Sequence, residues 1–464
     1  MGASFEKLYF ASPVWFQNLM VSVYGITLHD KRFRHPHDQF LAELENHDLT
    51  DAGQVDRIQW DMFRDILRHA FATVPFFQEL SRRGILIPGD FRDFSDITKL
   101  PIIDKEMIRQ DPLHFCSTPL VAKGAFVLHT SGTSGTALTI YADKESRRRH
   151  YAFWTRLRQW HGVRPGMKRA TMFGRIICSP DNNNPPFWRY DAVGKNLLMS
   201  SYHLAPSNLP AYAAKLVSFQ PAEIVGYASS IFLLAKFLAK NPGHGIKPKV
   251  VFTTADKLQP HFRPLIHEAF GCPVVDQYGC AEMATFVSQQ ENGDYLVHPE
   301  HGFLEILNAQ NKPVGPGETG EAVCTGFINR TMPLLRYRLG DRITVTDGPT
   351  GPDNRSQTFA EIEGRIDDIL YSPEGRPLGR FSPIWKVVDG IFETQVVQRS
   401  LSSLDINIVV DPEFLADPVR ESVLEQEIRK RTGSGMDIRF HYLDSIPKNR
   451  NGKFKTVISE VQPS

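Results

Sequence analysis

Residues 222–277 read AEIVGYASSIFLLAKFLAKNPGHGIKPKVVFTTADKLQPHFRPLIHEAFGCPVVDQ, and this stretch decides the fold class. Short runs rich in β-branched residues (222–225, 250–254 and 273–277) predict strands, and the runs between them (229–239 and 260–270) carry helical periodicity. Strands that alternate with helices build a parallel sheet with helices on its faces, so the expected class is α/β.

Upstream, residues 124–128 and 139–141 read as short strands, and 143–161 as a helix ended by Gly162 and Pro165. The first 110 residues are predominantly helical in pattern, most clearly over 55–82, and form a helical lead-in. Downstream of Glu300 the pattern changes to short strands separated by turns such as Gly315-Pro316-Gly317-Glu318-Thr319-Gly320, which predicts an antiparallel β subdomain over about 295–364. A compact alternation follows Gly364: a helix at 383–388, strands at 395–398 and 406–410, a helix at 418–431 and a strand at 436–441. The expected division is therefore a large N-terminal domain, 1–364, and a small mobile α+β domain, 365–464.

The chain has 464 residues, too many for one ordinary core, and 53 basic against 52 acidic side chains, a net charge of +1. That balance speaks against a nucleic-acid binder with a broad basic face. The five cysteines are scattered, with no CxxC pair, which fits a reducing compartment and gives no zinc signature. Residues 8–28 are apolar in places, but Gln17, Asn18 and Gly25 interrupt them, so an amphipathic helix is expected here and not a transmembrane span. No secretory cleavage pattern is apparent, and the expected location is cytoplasmic.

Five segments carry candidate chemistry. His129-Thr130-Ser131-Gly132-Thr133-Ser134-Gly135-Thr136 joins two glycines to five hydroxyls, a composition suited to an anion through backbone N–H groups and side-chain donors. It is not a Walker A loop, since no Gly-Lys-Ser/Thr follows, and a solvent-exposed hairpin is the plainer alternative. Tyr278-Gly279-Cys280-Ala281-Glu282 offers a ring that can stack on a purine and a carboxylate that can hold Mg²⁺, or else an ordinary strand end. In Arg336-Tyr337-Arg338-Leu339-Gly340-Asp341 the aspartate can accept from both ribose hydroxyls, although the same string also reads as a solvated, charge-paired turn. Gly364-Arg365-Ile366-Asp367-Asp368 combines an arginine able to reach ribose or phosphate with a polar hinge, or else is simply a pair of aspartates at a helix start or turn. In Asn451-Gly452-Lys453 a lysine follows a glycine in a basic loop, where it can neutralise charge developing at a reacting phosphate and carboxylate. Basic loops near a C-terminus are also commonly just solvated.

In order and separation these segments resemble the adenylate-forming superfamily of acyl-CoA synthetases, adenylation domains and luciferases. More closely they resemble the phenylacetate–CoA ligase family, with its relatives associated with capsule biosynthesis; Pro13 to Leu19, His69-Ala70 and Val74 to Phe77 look like that branch's N-terminal helices. The resemblance implies ATP- and Mg²⁺-dependent formation of an acyl-adenylate, then transfer of the acyl group to CoA. It places Thr130, Ser131, Gly132, Thr133, Ser134 and Gly135 on the phosphates, and Thr254, Ala255, Asp256, Tyr278 and Gly279 around adenine. It puts Asp341 and Arg365 on ribose, Glu282 on Mg²⁺ and Lys453 between the acyl carboxylate and α-phosphate, with Asp367 as the hinge and Gly375 in the CoA channel.

Ala281 stands where relatives often carry a hydroxyl, and Ala137-Leu138 replaces their basic residue and proline. The segments that hold a cysteine cluster in some relatives (Gln289-Gln290 and 351–355 here) contain none, so no structural zinc is expected. Aromatic residues at Phe153, Trp154, Phe187, Trp188 and Tyr227 favour an aryl or arylacetic acid. Transfer to an amine or hydroxyl, and a non-catalytic nucleotide-binding relative, are the alternative readings. The expected partners are a small carboxylate and CoA; a homodimer follows from the resemblance alone.

Overall fold

The computed structural model describes residues 8–129, 138–175, 177–179, 182, 184–201, 203–204, 207–346, 358–365, 370–373, 378, 384–386, 388, 390–415, 417–447 and 457–461. Helices α1 (Val14–Phe33), α2 (His37–Glu45), α3 (Ala52–Thr73) and α4 (Pro75–Arg82) come first, and the chain breaks between α3 and α4 at Val74-Pro75. The proline occupies the first helical position of α4, where its missing N–H costs nothing. The helical pattern over 55–82 is thus carried by two helices.

A hairpin of β1 (Phe126–His129) and β2 (Thr139–Ala142) leads into α5 (Lys144–Trp160), capped by Asp143, whose carboxylate accepts from the Ser146 N–H at 2.6 Å. The central strands are β3 (Arg169–Phe173), β4 (Trp188–Asp191), β5 (Asn196–Ser200), β6 (Glu223–Gly226), β7 (Val250–Thr254) and β8 (Val274–Gly279). Helices α6 (Leu209–Phe219), α7 (Ala228–Ala239) and α8 (Phe262–Phe270) connect them. Then come β9 (Phe286–Gln289), β10 (Tyr295–Val297), β11 (Gly302–Leu307), β12 (Thr319–Gly326), β13 (Tyr337–Val345) and β14 (Thr358–Arg365).

Among the described residues β3 to β14 form one twelve-stranded sheet in the order 11-12-13-14-10-9-8-7-6-3-5-4. Strands β8, β7, β6, β3 and β5 run parallel, as the alternation over 222–277 predicts. The antiparallel strands beyond residue 300 pair as expected, but they continue this same sheet through β10 and β9. The alternation of side chains along each strand supplies both faces. Ile224, Val251 and Val274 pack with α6, α7 and α8, while Val225, Val250, Phe252 and Val275 pack with Phe153 and Leu157 of α5. Gly226 ends β6 because a Cβ there would lie 2.4 Å from the Met172 carbonyl oxygen on β3. That close approach brings the carboxyl ends of β3 and β6 together.

A separate four-stranded sheet holds β15 (Ile391–Ser400), β16 (Ser403–Val410), β17 (Asp437–Tyr442) and β18 (Val457–Ser459) in the order 17-16-15-18, with α9 (Pro418–Thr432) packed on it through Leu424 and Ile428. The whole is a mixed α/β fold with a small C-terminal α+β unit. Among the described residues no helix is long and apolar enough to cross a membrane.

Candidate active site

In an open parallel sheet, ligands bind in the crevice outside the carboxyl ends of the strands. Here those ends carry Phe173 (β3), Tyr227 (after β6), Thr254 (β7) and Tyr278 (β8), side by side in the strand order. Tyr278 reaches across the sheet: its hydroxyl donates to Asp341 Oδ2 on β13 at 2.5 Å. Burial, and after it the Asp341 carboxylate, hold the Tyr278 phenol well above its ordinary range, so it remains a donor. Asp341 stands opposite Arg365 in the antiparallel register of β13 and β14. Gly340, just before it, has φ +78°, a left-handed conformation that glycine adopts without cost. The adenine and ribose candidates from three sequence segments thus meet in one place.

Glu282 lies in the turn after β8, followed by Met283 at φ +55°. It is 6% exposed, and Oε1 accepts from the Tyr337 hydroxyl at 3.1 Å. Burial, then the Glu282 carboxylate, raise the Tyr337 phenol, which therefore keeps its proton and orients Glu282. Among the described residues no protein donor reaches the second carboxylate oxygen. A single oriented carboxylate with one such oxygen fits Mg²⁺, which is commonly held by one or two carboxylates plus substrate phosphates.

On β7 the Thr254 hydroxyl donates to Gln277 Oε1 at 2.8 Å, and Ala255 turns the chain at φ +69°. Gly279 fits beside this pair, since a Cβ would come within 2.9 Å of Gln277 Nε2. Asp256 is engaged elsewhere. Its carboxylate accepts from the Ala228 N–H at 2.5 Å, the Ser229 N–H at 3.1 Å and the Ser229 hydroxyl at 2.7 Å, closing the N-terminus of α7. Its carboxylate holds α7, and its backbone follows Thr254 and Ala255 along the crevice.

Thr130, Ser131, Gly132, Thr133, Ser134, Gly135, Asp367, Gly375 and Lys453 lie outside the described residues, as does the side chain of Arg365. His129 pairs with Thr139, so the glycine loop joins two antiparallel strands, as its flanks predict.

Two parts of the site escaped the sequence reading. Gln277 and Tyr337 orient Thr254 and Glu282; Tyr337 lies within the Arg336–Asp341 string, but nothing local marks either residue as an orienting partner. Arg336, readable as part of a solvated turn, is 5% exposed and at φ +51°. It forks onto Glu305 at 2.9 and 2.8 Å and donates to the carbonyls of Thr98 (3.1 Å) and Leu100 (2.9 Å). The apolar run Met332-Pro333-Leu334-Leu335 before it was the available signal of burial. Phe187 is fully buried and stacks on Tyr212, while Phe153 and Trp154 pack against Phe286; these rings belong to the core. Tyr227 alone of the aromatic set follows a strand end, edge-on to Phe173 with centroids 5.5 Å apart.

Behind the crevice Arg156 binds Glu300 through two contacts of 2.5 and 3.0 Å and meets His298 Nδ1 at 2.9 Å, and Ser288 meets His298 Nε2 at 2.8 Å. Loss of hydration, then Arg156, push His298 down to about 3, and His150, 3.2 Å from His301, is likewise pushed down to about 3 by burial and by Arg147 and Arg32. This polar network is neutral at its histidines.

Residues 370–460 match the family described as the CapK C-terminal domain. The chain is 27% identical to Protein CapK of Staphylococcus aureus over 98% of its own length and 99% of that protein. It is 24% identical to a phenylacetate-coenzyme A ligase of Escherichia coli (strain K12), over 71% of this chain and 74% of that one. Among solved structures it matches a 2-hydroxyisobutyryl-CoA ligase in the postadenylation state in complex with R3-HIB-AMP, with a TM-score of 0.65, 19% identity, and coverage of 88% of this chain and 90% of the other. The homologues are CapK and phenylacetate–coenzyme A ligases, and the fold is that of the adenylate-forming CoA ligases.

Proposed function

We propose that this homologue of CapK and the phenylacetate–coenzyme A ligases activates a carboxylic acid with ATP and passes the acyl group to CoA. A carboxylate oxygen attacks the α-phosphorus, the bond to pyrophosphate breaks, and acyl-AMP forms. The CoA thiolate then attacks the acyl carbon and AMP leaves. The observation that carries this reading is the meeting of Tyr278 with Asp341 and of Glu282 with Tyr337, which joins two distant segments around one crevice.

Within it, Tyr278 packs on adenine while its hydroxyl fixes Asp341 to receive the ribose hydroxyls, helped by Arg365. Glu282, oriented by Tyr337, holds Mg²⁺, which supplies charge neutralisation on the phosphates. The hydroxyl loop from Thr130 to Gly135 steadies those phosphates, and Lys453 stabilises charge between carboxylate and α-phosphate. The C-terminal unit turns about Asp367 between the two steps, withdrawing Lys453 and bringing Gly375 to the thiol path. The acid's ring or chain lies toward Tyr227 and Phe173, and aryl and arylacetic acids head the panel to be tried.

The test is pyrophosphate release from ATP and Mg²⁺ across aryl, arylacetic and aliphatic acids, with and without CoA. Acid-dependent release together with a thioester detected by mass supports the reading. Release without thioester assigns the second step to an amine or hydroxyl acceptor, and ATP binding without release under any acid would leave a nucleotide-binding protein only.

A further inference from the structure

Near the carboxyl end of β3, beside the crevice, arginines gather that have no carboxylate partner among the described residues. Arg32 near the end of α1 lies 4.6 Å over the Tyr151 ring, and Arg147, one turn before Tyr151 on α5, lies 5.7 Å from that ring. Arg175 follows the carboxyl end of β3 and is exposed. Lys31 and Arg147 also flank the Phe126 ring, at 5.9 and 6.0 Å.

The acids nearby are already taken. Asp30 is shared by Arg34 (2.7 Å), Lys144 (3.3 Å) and Arg148 (4.0 Å), Glu145 faces Arg149 at 3.7 Å, and Glu223 holds Arg158 and Arg169. Among the described residues Arg32, Arg147 and Arg175 have no carboxylate partner, and the buried Nε of Arg32 has no acceptor at all. A buried donor without a partner in a native fold calls for an explanation, and an absent anion is one. Burial first, then Arg175, Arg147 and Arg169, push the Arg32 guanidinium down, while for the Tyr151 phenol Arg32, Arg147, Arg175 and Arg158 outweigh the upward effect of burial. Uncompensated positive charge is costly in this partly dry setting, and a dianion presented to three guanidinium forks relieves it.

Resting on the proposed adenylation reading, we propose that Arg32, Arg147 and Arg175 form a subsite for a phosphate group carried by the acid substrate, away from its reacting carboxylate. The strand order sets the scale. From β8, which carries Tyr278, to β3 is three strand steps, roughly 14 Å at about 4.8 Å each. An acid extending from the nucleotide past Tyr227 and Phe173 thus brings its remote end to the three arginines. The substrate class is a phosphorylated carboxylic acid.

The test uses the full chain and two probes, inorganic phosphate and 3-phosphoglycerate, with glycerate as the uncharged-end control, by calorimetric titration at low salt. The wild type is expected to bind both phosphates, with 3-phosphoglycerate still binding in the presence of saturating ATP and CoA. Arg175→Gln, an exposed change that leaves the core intact, and Arg32→Lys, which keeps the charge but loses the fork, should each weaken binding by about tenfold or more. Equal affinity in wild type and both variants would overturn the proposal, as would displacement of the phosphate probes by ATP or CoA, which would assign the subsite to those molecules. Binding does not depend on turnover, so an inactive enzyme that binds phosphate through these arginines would sink the adenylation reading and leave the subsite standing.

Discussion

The Tyr278 hydroxyl and Asp341 Oδ2 lie 2.5 Å apart although 63 residues separate them in the chain. The contact ties the end of β8 to β13 and aims one carboxylate at the mouth of the crevice. Tyr278→Phe should raise the KM for ATP about tenfold, the effect of losing one charge-assisted hydrogen bond of about 1.5 kcal/mol. Asp341→Ala should cost more and abolish discrimination between ATP and 2′-deoxy-ATP. Saturation kinetics with both nucleotides check this, and unchanged discrimination would remove Asp341 from the ribose.

Glu282→Gln keeps the shape and an acceptor for Tyr337 but removes the charge. Adenylation should fall by about 10²–10³-fold, the scale of losing one transition-state charge contact. The Mg²⁺ concentration for half-maximal rate should also rise. A Mg²⁺ titration of variant and wild type distinguishes this from a folding defect, which would leave the half-maximal concentration unchanged.

Arg336 serves the fold. Arg336→Ala leaves Glu305 buried and the carbonyls of Thr98 and Leu100 without a donor, so unfolding in urea should show a loss of about 3–5 kcal/mol. Arg336→Lys should recover little, because an ammonium cannot fork onto Glu305 and reach both carbonyls.

Acid should destabilise the protein through the network behind the crevice. His298, fully buried, titrates near 3 in the fold against an ordinary value of about 6.5, so the unfolded chain binds the extra proton between those values and stability falls as pH falls through that window. At pH 5 this one residue costs roughly 2 kcal/mol. His150 acts in the same direction, and Glu300, held down to about 2 despite its burial by His47 and Arg156, adds a further loss below its ordinary range. Asp276, raised to about 6 by burial, opposes them, since its contribution is lost as pH rises. Urea midpoints at pH 7.5 and 5 in wild type and His298→Gln check the sign: the variant should lose less between the two.

The parallel core was legible because its strands and helices keep their own periods: 250–254 was read to the residue, and 143–161 proved to be α5 with both caps. Of the site segments, those carrying Tyr278 and Asp341 are brought into contact by the fold. What the sequence concealed depends on tertiary contact. Strand β3, whose end carries Phe173 and leads to Arg175, is five residues long and sits between a loop and a short hairpin, too brief to stand out by periodicity. The hold of the Asp256 carboxylate on the start of α7 depends on N–H groups 27 and 28 residues away, which no local signal marks. Arg336 looked solvated because its partners lie in segments far away in sequence.

Adenylation itself is read by acid-dependent incorporation of labelled pyrophosphate into ATP without CoA, in wild type and Lys453→Ala. Incorporation is expected with at least one acid in a panel that includes phosphorylated carboxylic acids, reduced by about 10²–10³-fold in the variant. A wild-type protein that binds ATP but incorporates no pyrophosphate with any acid of the panel would contradict it.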